Sequence, residues 1–246
     1  MIFSANNISK SYKGSMTIEN VSVGIEKGEI VCLLGESGIG KTTLFNIMSG
    51  LEKPDSGKIL LGGADITGLP GRVSYMLQKD LLMPYKTVID NVSIPLVIKG
   101  QDKQSARKEA QKLFDEFGIA GYENAYPNQL SGGMRQRAAL LRTYLSHKDV
   151  ILLDEPFSSL DSITKMEMHQ WFLEIFSKLS ISALFITHDI DEAIFLSDRI
   201  YIMSMRPGRI TSEIFVNAKR PRNADFTTSA EFNEIKKKII FSLAMK

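Results

Sequence analysis

The sequence predicts an α/β fold around a mainly parallel sheet. Apolar, strand-like runs at Ile30–Leu34, Val150–Asp154 and Ala183–Thr187 are separated by segments of helical periodicity. Ahead of them, residues 2 to 34 hold short strand-like stretches with turn signals, while residues from about 85 to 130 are helical and highly charged. An N-terminal antiparallel β subdomain and a helical insertion on the α/β body follow from that pattern.

In chain order, Ile18, Val21, Val23 and Ile25 partly alternate, and Lys13-Gly14 and Lys27-Gly28 supply the turns of an antiparallel edge. Tyr12, in Ser9-Lys10-Ser11-Tyr12-Lys13-Gly14, is an aromatic that could stack on a purine ring or simply pack. Directly behind Ile30–Leu34 stands Gly35-Glu36-Ser37-Gly38-Ile39-Gly40-Lys41-Thr42-Thr43, which fits G-x-x-x-x-G-K-[ST]. Glycines let that backbone turn and aim successive N–H groups at one point, where the next helix adds its positive N-terminal end. Lys41 would reach the β- and γ-phosphates, the Thr42 hydroxyl would ligate Mg2+, and Thr43 would support the loop. Leu44, Ile47 and Met48 continue as an apolar helix face that Gly50 closes.

The turn Pro54-Asp55-Ser56-Gly57 leads to strand-like Lys58–Leu61 and Arg72–Leu77, with Gln78 just after. Ala106, Ala110, Leu113, Phe114 and Phe117 recur at helical spacing in a segment that Gly118 is expected to terminate. Leu130-Ser131-Gly132-Gly133 reads as a second glycine-bearing helix start, Ser131 serving as N-cap with free N–H groups behind it. Two phosphate-type cradles in one chain suggest one nucleotide shared by two copies.

The carboxylate pair Asp154-Glu155 closes an apolar strand. Asp154 would hold the Mg2+ shell, and Glu155 would orient or deprotonate the attacking water. Beyond it come a helix from about 161 to 179, the strand Ala183–Thr187 ending beside His188, strands near 199 to 203 and 209 to 216, and an amphipathic helix near 231 to 243. His147 and His169 read as surface residues.

Composition narrows the function classes. Hydrophobic residues at 43% and charged residues at 24% suit a globular protein with a full core. A formal charge of +2 gives no global field for nucleic acid, which is not expected as a partner; the late basic residues Lys219, Arg220, Arg222 and Lys236–Lys238 read as a solvated face. The single cysteine, Cys32, sits in an apolar strand and fits a reducing compartment. No stretch of 18 apolar residues exists, so a soluble chain is expected, with any membrane role requiring a partner.

The loop at 35 to 43, Gln78, LSGGMRQR at 130 to 137, ILLDEP at 151 to 156, SSLD at 158 to 161 and THD at 187 to 189 resemble, in that order, an ABC-type ATPase. The resemblance implies a P-loop NTPase core with the LSGG element on a helical subdomain: a catalytic core with its β subdomain over 1–84 and 150–215, a helical subdomain over about 85–149, and a tail over about 216–246. It implies a head-to-tail homodimer in which ATP and Mg2+ lie between residues 35 to 43 of one subunit and Ser131, Gly132 and Gly133 of the other. Tyr12 would stack on adenine, Gln78 would sense Mg2+ and the coupling interface, His188 would contact the γ-phosphate opposite Glu155, and Asp161 would communicate across the dimer. QKDLLMPYKTVIDNV at 78 to 92 and THDIDEAIFLSDRIYIMSMRPGRI at 187 to 210 further resemble the ATPase subunits of bacterial importers for nitrate, sulfonates, taurine and thiamine precursors. Met83 and Tyr85 stand where that group usually has Leu and Trp, and Glu36 and Ile39 where Pro and Cys or Ser are common. The expected partners are a transmembrane permease subunit and, indirectly, a solute-binding protein, at the cytoplasmic face of the cell membrane. An exporter or lipid-transport ATPase is the alternative, and a soluble non-transport ABC ATPase a more distant one.

Overall fold

The computed structural model describes residues 1–146 and 150–244, in two sheets and seven α-helices among those residues. The first sheet is antiparallel. Its strands β1 (Phe3–Tyr12), β2 (Ser15–Ile25), β4 (Ser56–Leu61) and β5 (Ala64–Asp65) lie in the order β2-β1-β4-β5.

The second sheet holds β3 (Ile30–Leu34), β6 (Ser74–Met76), β7 (Val150–Asp154), β8 (Ser182–Thr187), β9 (Arg199–Ser204) and β10 (Arg209–Phe215), in the order β10-β9-β3-β8-β7-β6. All its neighbours run parallel except β10, which returns antiparallel to β9. Register aligns the carboxyl ends, Leu34 opposite Thr187 and Asp154 opposite Ile186, so the segments leaving β3, β7 and β8 emerge side by side.

The parallel strands are apolar throughout because both faces are covered. Ile30, Cys32 and Leu34 enter one core cluster, and Val31 and Leu33 the other. Helix α1 (Lys41–Met48) packs Leu44, Phe45, Ile47 and Met48 on the second face. The first face is covered by α2 (Val88–Ile98), α3 (Lys103–Gln111), α4 (Gly132–Ser146), α5 (Ser162–Lys178), α6 (Ile190–Leu196) and α7 (Ala230–Ala244). Arg107 clamps Asp90 with two 2.8 Å bonds and ties α3 to α2. No helix of the described residues is long and apolar enough to cross a membrane.

Several expectations need correction. The helix expected to run to Gly118 ends at Gln111; residues 112 to 118 turn, and Phe114 and Phe117 are buried from that turn. The strand over Arg72–Leu77 shrinks to Ser74–Met76, and α6 carried no expectation of its own. His169 is no surface residue: its ring packs edge-on to Phe157 at 4.8 Å and near Phe195 at 6.1 Å. His147 lies outside the described residues. Arg220 and Arg222 are not a solvated face. Arg220 donates to Asp198 Oδ1 at 2.8 Å, and Arg222 is buried among backbone carbonyls.

Candidate functional site

The loop between β3 and α1 wraps a cavity of about 390 Å3, lined on its loop side by Ser37, Gly38 and Gly40 to Thr43, and opposite by Gln78 and Glu155. Gly40 holds a left-handed conformation at φ 104° just before α1, and α1 begins without a side-chain cap or an acidic residue in its first turn. Its first N–H groups therefore lack a side-chain partner at the cavity wall, the arrangement that accepts phosphate oxygens. Gly35 is required by contact: a Cβ there would collide with the Met203 carbonyl. Ile39 turns the other way, into the second core cluster, so the loop is anchored through a position that faces no ligand.

Lys41 is 5% exposed, and its Nζ donates to the carbonyls of Gly35 at 2.7 Å and Glu36 at 2.8 Å. Burial draws its pKa down, against the pull of Glu155 and Asp154. The ammonium is thus held at the loop among acceptors, where triphosphate oxygens supply the stronger counter-charge.

Asp154 ends β7 facing Thr42. The Thr42 hydroxyl donates to Asp154 Oδ2 at 3.2 Å, and the Tyr75 hydroxyl to the same oxygen at 3.4 Å. The Thr42 hydroxyl and the Asp154 carboxylate, with Gln78 lining the same cavity as Thr42, offer oxygen donors of the kind that suits Mg2+. Burial raises the Asp154 pKa. A carboxyl whose folded pKa exceeds its unfolded value adds stability below the unfolded pKa and loses it as pH rises through the folded one. At neutral pH the Asp154 charge therefore costs stability. Asp154→Asn is expected to raise Tm, while abolishing metal-dependent turnover. Thermal unfolding of both proteins across pH checks it, the gap widening from acid to neutral pH.

Glu155 follows in a left-handed backbone conformation, φ 45°, uncommon for a residue with a Cβ. Its N–H is nevertheless bound to the Ile186 carbonyl at 3.1 Å. The carboxylate meets Gln78 Nε2, which donates at 3.2 Å, and lies 3.3 Å from His188 Nδ1. Gln78 Nε2 also reaches Ser158 Oγ at 3.5 Å. Glu155, Gln78 and His188 are brought together at the carboxyl ends of neighbouring strands, the geometry of a general base between two orienting groups.

The other anticipated residues lie apart. Ser131 accepts from Met134 N at 3.3 Å at the head of α4; neither it, Gly132 nor Gly133 lines the phosphate-loop cavity, and Gly132 opens onto an adjoining cleft beside Ser158 and His188. Asp161 caps α5, accepting from the N–H groups of Ile163 and Thr164 and from the Thr164 hydroxyl at 2.6 Å. Tyr12, 42% exposed, donates to the Glu52 carboxylate at 2.6 Å and carries Lys10 Nζ 5.6 Å from its ring centre. Sequence reasoning missed Thr17, which lines the cavity, and Tyr75. A strand threonine and a strand tyrosine carry no signal of their own; Ser158 stood in the SSLD run without an assigned contact.

A phosphate-binding loop behind one parallel strand, with a carboxylate pair closing another, defines a P-loop nucleoside triphosphatase. More particularly, the chain belongs to the ABC transporter family, whose model matches residues 18–158. It is an ATPase. It is 43% identical to the formylaminopyrimidine import ATP-binding protein ThiZ of Halalkalibacterium halodurans, over 91% of this chain and 88% of that protein. It is 38% identical to the nitrate import ATP-binding protein NrtD of Synechocystis sp., over 92% and 87%. Among solved structures, the dimeric structure of an ATP-binding cassette in a post-hydrolysis state, bound to ADP and Pi, superposes with a TM-score of 0.74 at 28% identity, over 88% of this chain and all of that one.

Proposed function

We propose that this chain is the ATP-hydrolysing subunit energising a membrane importer of a small solute, an organic or inorganic anion or a thiamine precursor, and that it works as a head-to-tail homodimer with ATP between its subunits. The import names of the relatives and the dimeric cassette support the reading. In it, residues 35 to 43 and Tyr12 of one subunit hold the nucleotide, and Ser131, Gly132 and Gly133 of the other close over the γ-phosphate, Asp161 lying at the dimer contact. Thr42, Asp154 and Gln78 hold Mg2+, which neutralises charge on the phosphate oxygens when bound. Glu155 takes the proton of the attacking water, and His188 contacts the γ-phosphate.

The observation that carries the transport reading is the link from Glu155 through Gln78 to the segment that follows. The Met83 N–H donates to Asn91 Oδ1 at 2.6 Å, and Asn91 Nδ2 donates to the carbonyls of Met83, Lys86 and Thr87, each at 3.1 Å. Arg142 donates to the Leu81 carbonyl at 2.8 Å. The braced segment displays Tyr85, 73% exposed, and Leu81, 54% exposed. An apolar display on a braced loop that continues the chain from Gln78, the residue bonded to Glu155, is suited to receive a permease helix and report its movement to Glu155. Captured from solubilised membranes in ATP and Mg2+, the Glu155→Gln protein is expected to retain a polytopic membrane protein, and Glu155→Gln/Tyr85→Ala to lose at least about tenfold of it, as loss of a buried aromatic anchor does. Recovery of soluble partners alone would overturn the importer reading and leave the ATPase standing.

A further inference from the structure

Among the described residues the His188 imidazole pairs with Glu155, 3.3 Å away, and its side chain is 58% exposed. What fixes its place is backbone: Thr187 ends β8, and Asp189 caps α6 by accepting from the N–H groups of Asp191 at 2.9 Å and Glu192 at 3.1 Å. That cap is in turn held from another element. Lys165, in the first turn of α5, places Nζ 2.7 Å from Asp189 Oδ2 and 2.8 Å from Glu192 Oε2.

Glu192 is 3% exposed, an unusual burial for a carboxylate. Lys165 supplies its counter-charge, and His169, one helical turn further along α5, stands 3.5 Å away with no hydrogen bond from Nε2. The Lys165 N–H donates to the Asp161 carbonyl at 2.8 Å, so the same residue is fixed to the cap of α5 and to the cap of α6. A small cavity of about 80 Å3 beside it is bounded by Glu155, Lys165, His188 and Glu192, which puts the cluster directly behind the reacting groups. A buried ion pair is a poor source of stability but a good way to fix register between two elements.

We infer that Lys165 is a positioning residue for hydrolysis, bracing the head of α5 against the α6 cap so that His188 is held against Glu155; this rests on the roles given above to His188 and Glu155. Displacement of the Asp161 turn is then transmitted to His188 through the side chains of Lys165 and Asp189.

The full-length protein tests this. Lys165→Met is expected to lower kcat by about tenfold or more with KM for ATP within about twofold, since misplacing a reacting group by an ångström is felt in turnover. Lys165→Arg, which keeps a cation able to reach both carboxylates, is expected to restore most of it. Lys165→Met/Glu192→Met removes the buried carboxylate together with its half-buried counter-charge, so an unpaired buried charge does not obscure the result, and it is expected to behave as Lys165→Met. The sequence holds 3 histidines, so the imidazole resonances of the nucleotide-free protein are readily assigned, and those of His188 are expected to shift in both variants. An unchanged His188 signal, or kcat of the double variant within about twofold of the parent, would overturn the inference. Failure of the underlying reading shows differently: His188→Ala would keep full turnover while the His188 resonances of Lys165→Met still shift.

Discussion

Glu155→Gln is expected to abolish steady-state phosphate release, by at least the 10²–10⁴-fold that a positioned general base contributes, while ATP binding persists. The substitution is nearly isosteric. It keeps an oxygen to accept from Gln78, 3.2 Å away, and leaves the backbone bond to the Ile186 carbonyl untouched. What is lost is a group able to take a proton. Because Lys41 feels Glu155 as its largest opposing charge, removing that charge makes the ammonium a more available partner for the triphosphate. With hydrolysis blocked and phosphate binding intact, the ATP-bound dimer should accumulate, read by light scattering as a doubling of mass in ATP and Mg2+. Equal turnover in the two proteins would remove Glu155 from the role of base. A monomer with saturating ATP, in the presence of the membrane partner, would count against a shared site.

Chemistry was legible where it is tied to backbone geometry. The G-x-x-x-x-G-K-T run fixes a loop whatever surrounds it, because Gly40 must take φ 104° and Gly35 must pass the Met203 carbonyl. Asp154 and Glu155 were legible for a related reason: acids closing a continuous apolar strand have few places to go but the carboxyl edge of a parallel sheet. Strand order was not legible. Nothing in Ile30–Leu34 says that its neighbours are β8 and β9, since apolar strands buried on both faces are interchangeable by composition. Charged residues misled most, because a sequence does not distinguish an arginine in solvent from one whose donors are all used. His169 misled likewise: on a helix with a modest apolar face, only the positions of Phe157 and Phe195 reveal that it points inward.

Arg222→Met is expected to cost about 3 kcal/mol and lower Tm by about 6–12 °C. Its side chain is 1% exposed, and its donors reach the carbonyls of Ile194 at 3.2 Å, Phe195 at 2.9 Å, Ser197 at 2.8 Å, Val216 at 3.4 Å and Ala218 at 2.8 Å. Ile194 and Phe195 belong to the last turn of α6, whose carbonyls have no partner within the helix. The guanidinium is therefore the C-terminal cap of α6, supplied by a segment that also folds back on itself at Val216 and Ala218. Desolvation pulls its pKa down to about 10, with Asp198 opposing, so burying the cation is itself unfavourable. Methionine relieves that cost and fills similar volume, and it leaves several acceptors unpaired at about 1–3 kcal/mol each where water does not reach them. The orphaned acceptors outweigh the relief. Arg222→Lys should fall between, because an ammonium offers fewer donors than five carbonyls require. Thermal unfolding by circular dichroism gives the magnitude, and limited proteolysis gives the place: cleavage should appear first between β10 and α7. A Tm within about 1 °C of the parent, with no new cleavage there, would show that packing of Phe232, Ile235 and Ile239 on the core holds the tail without the arginine.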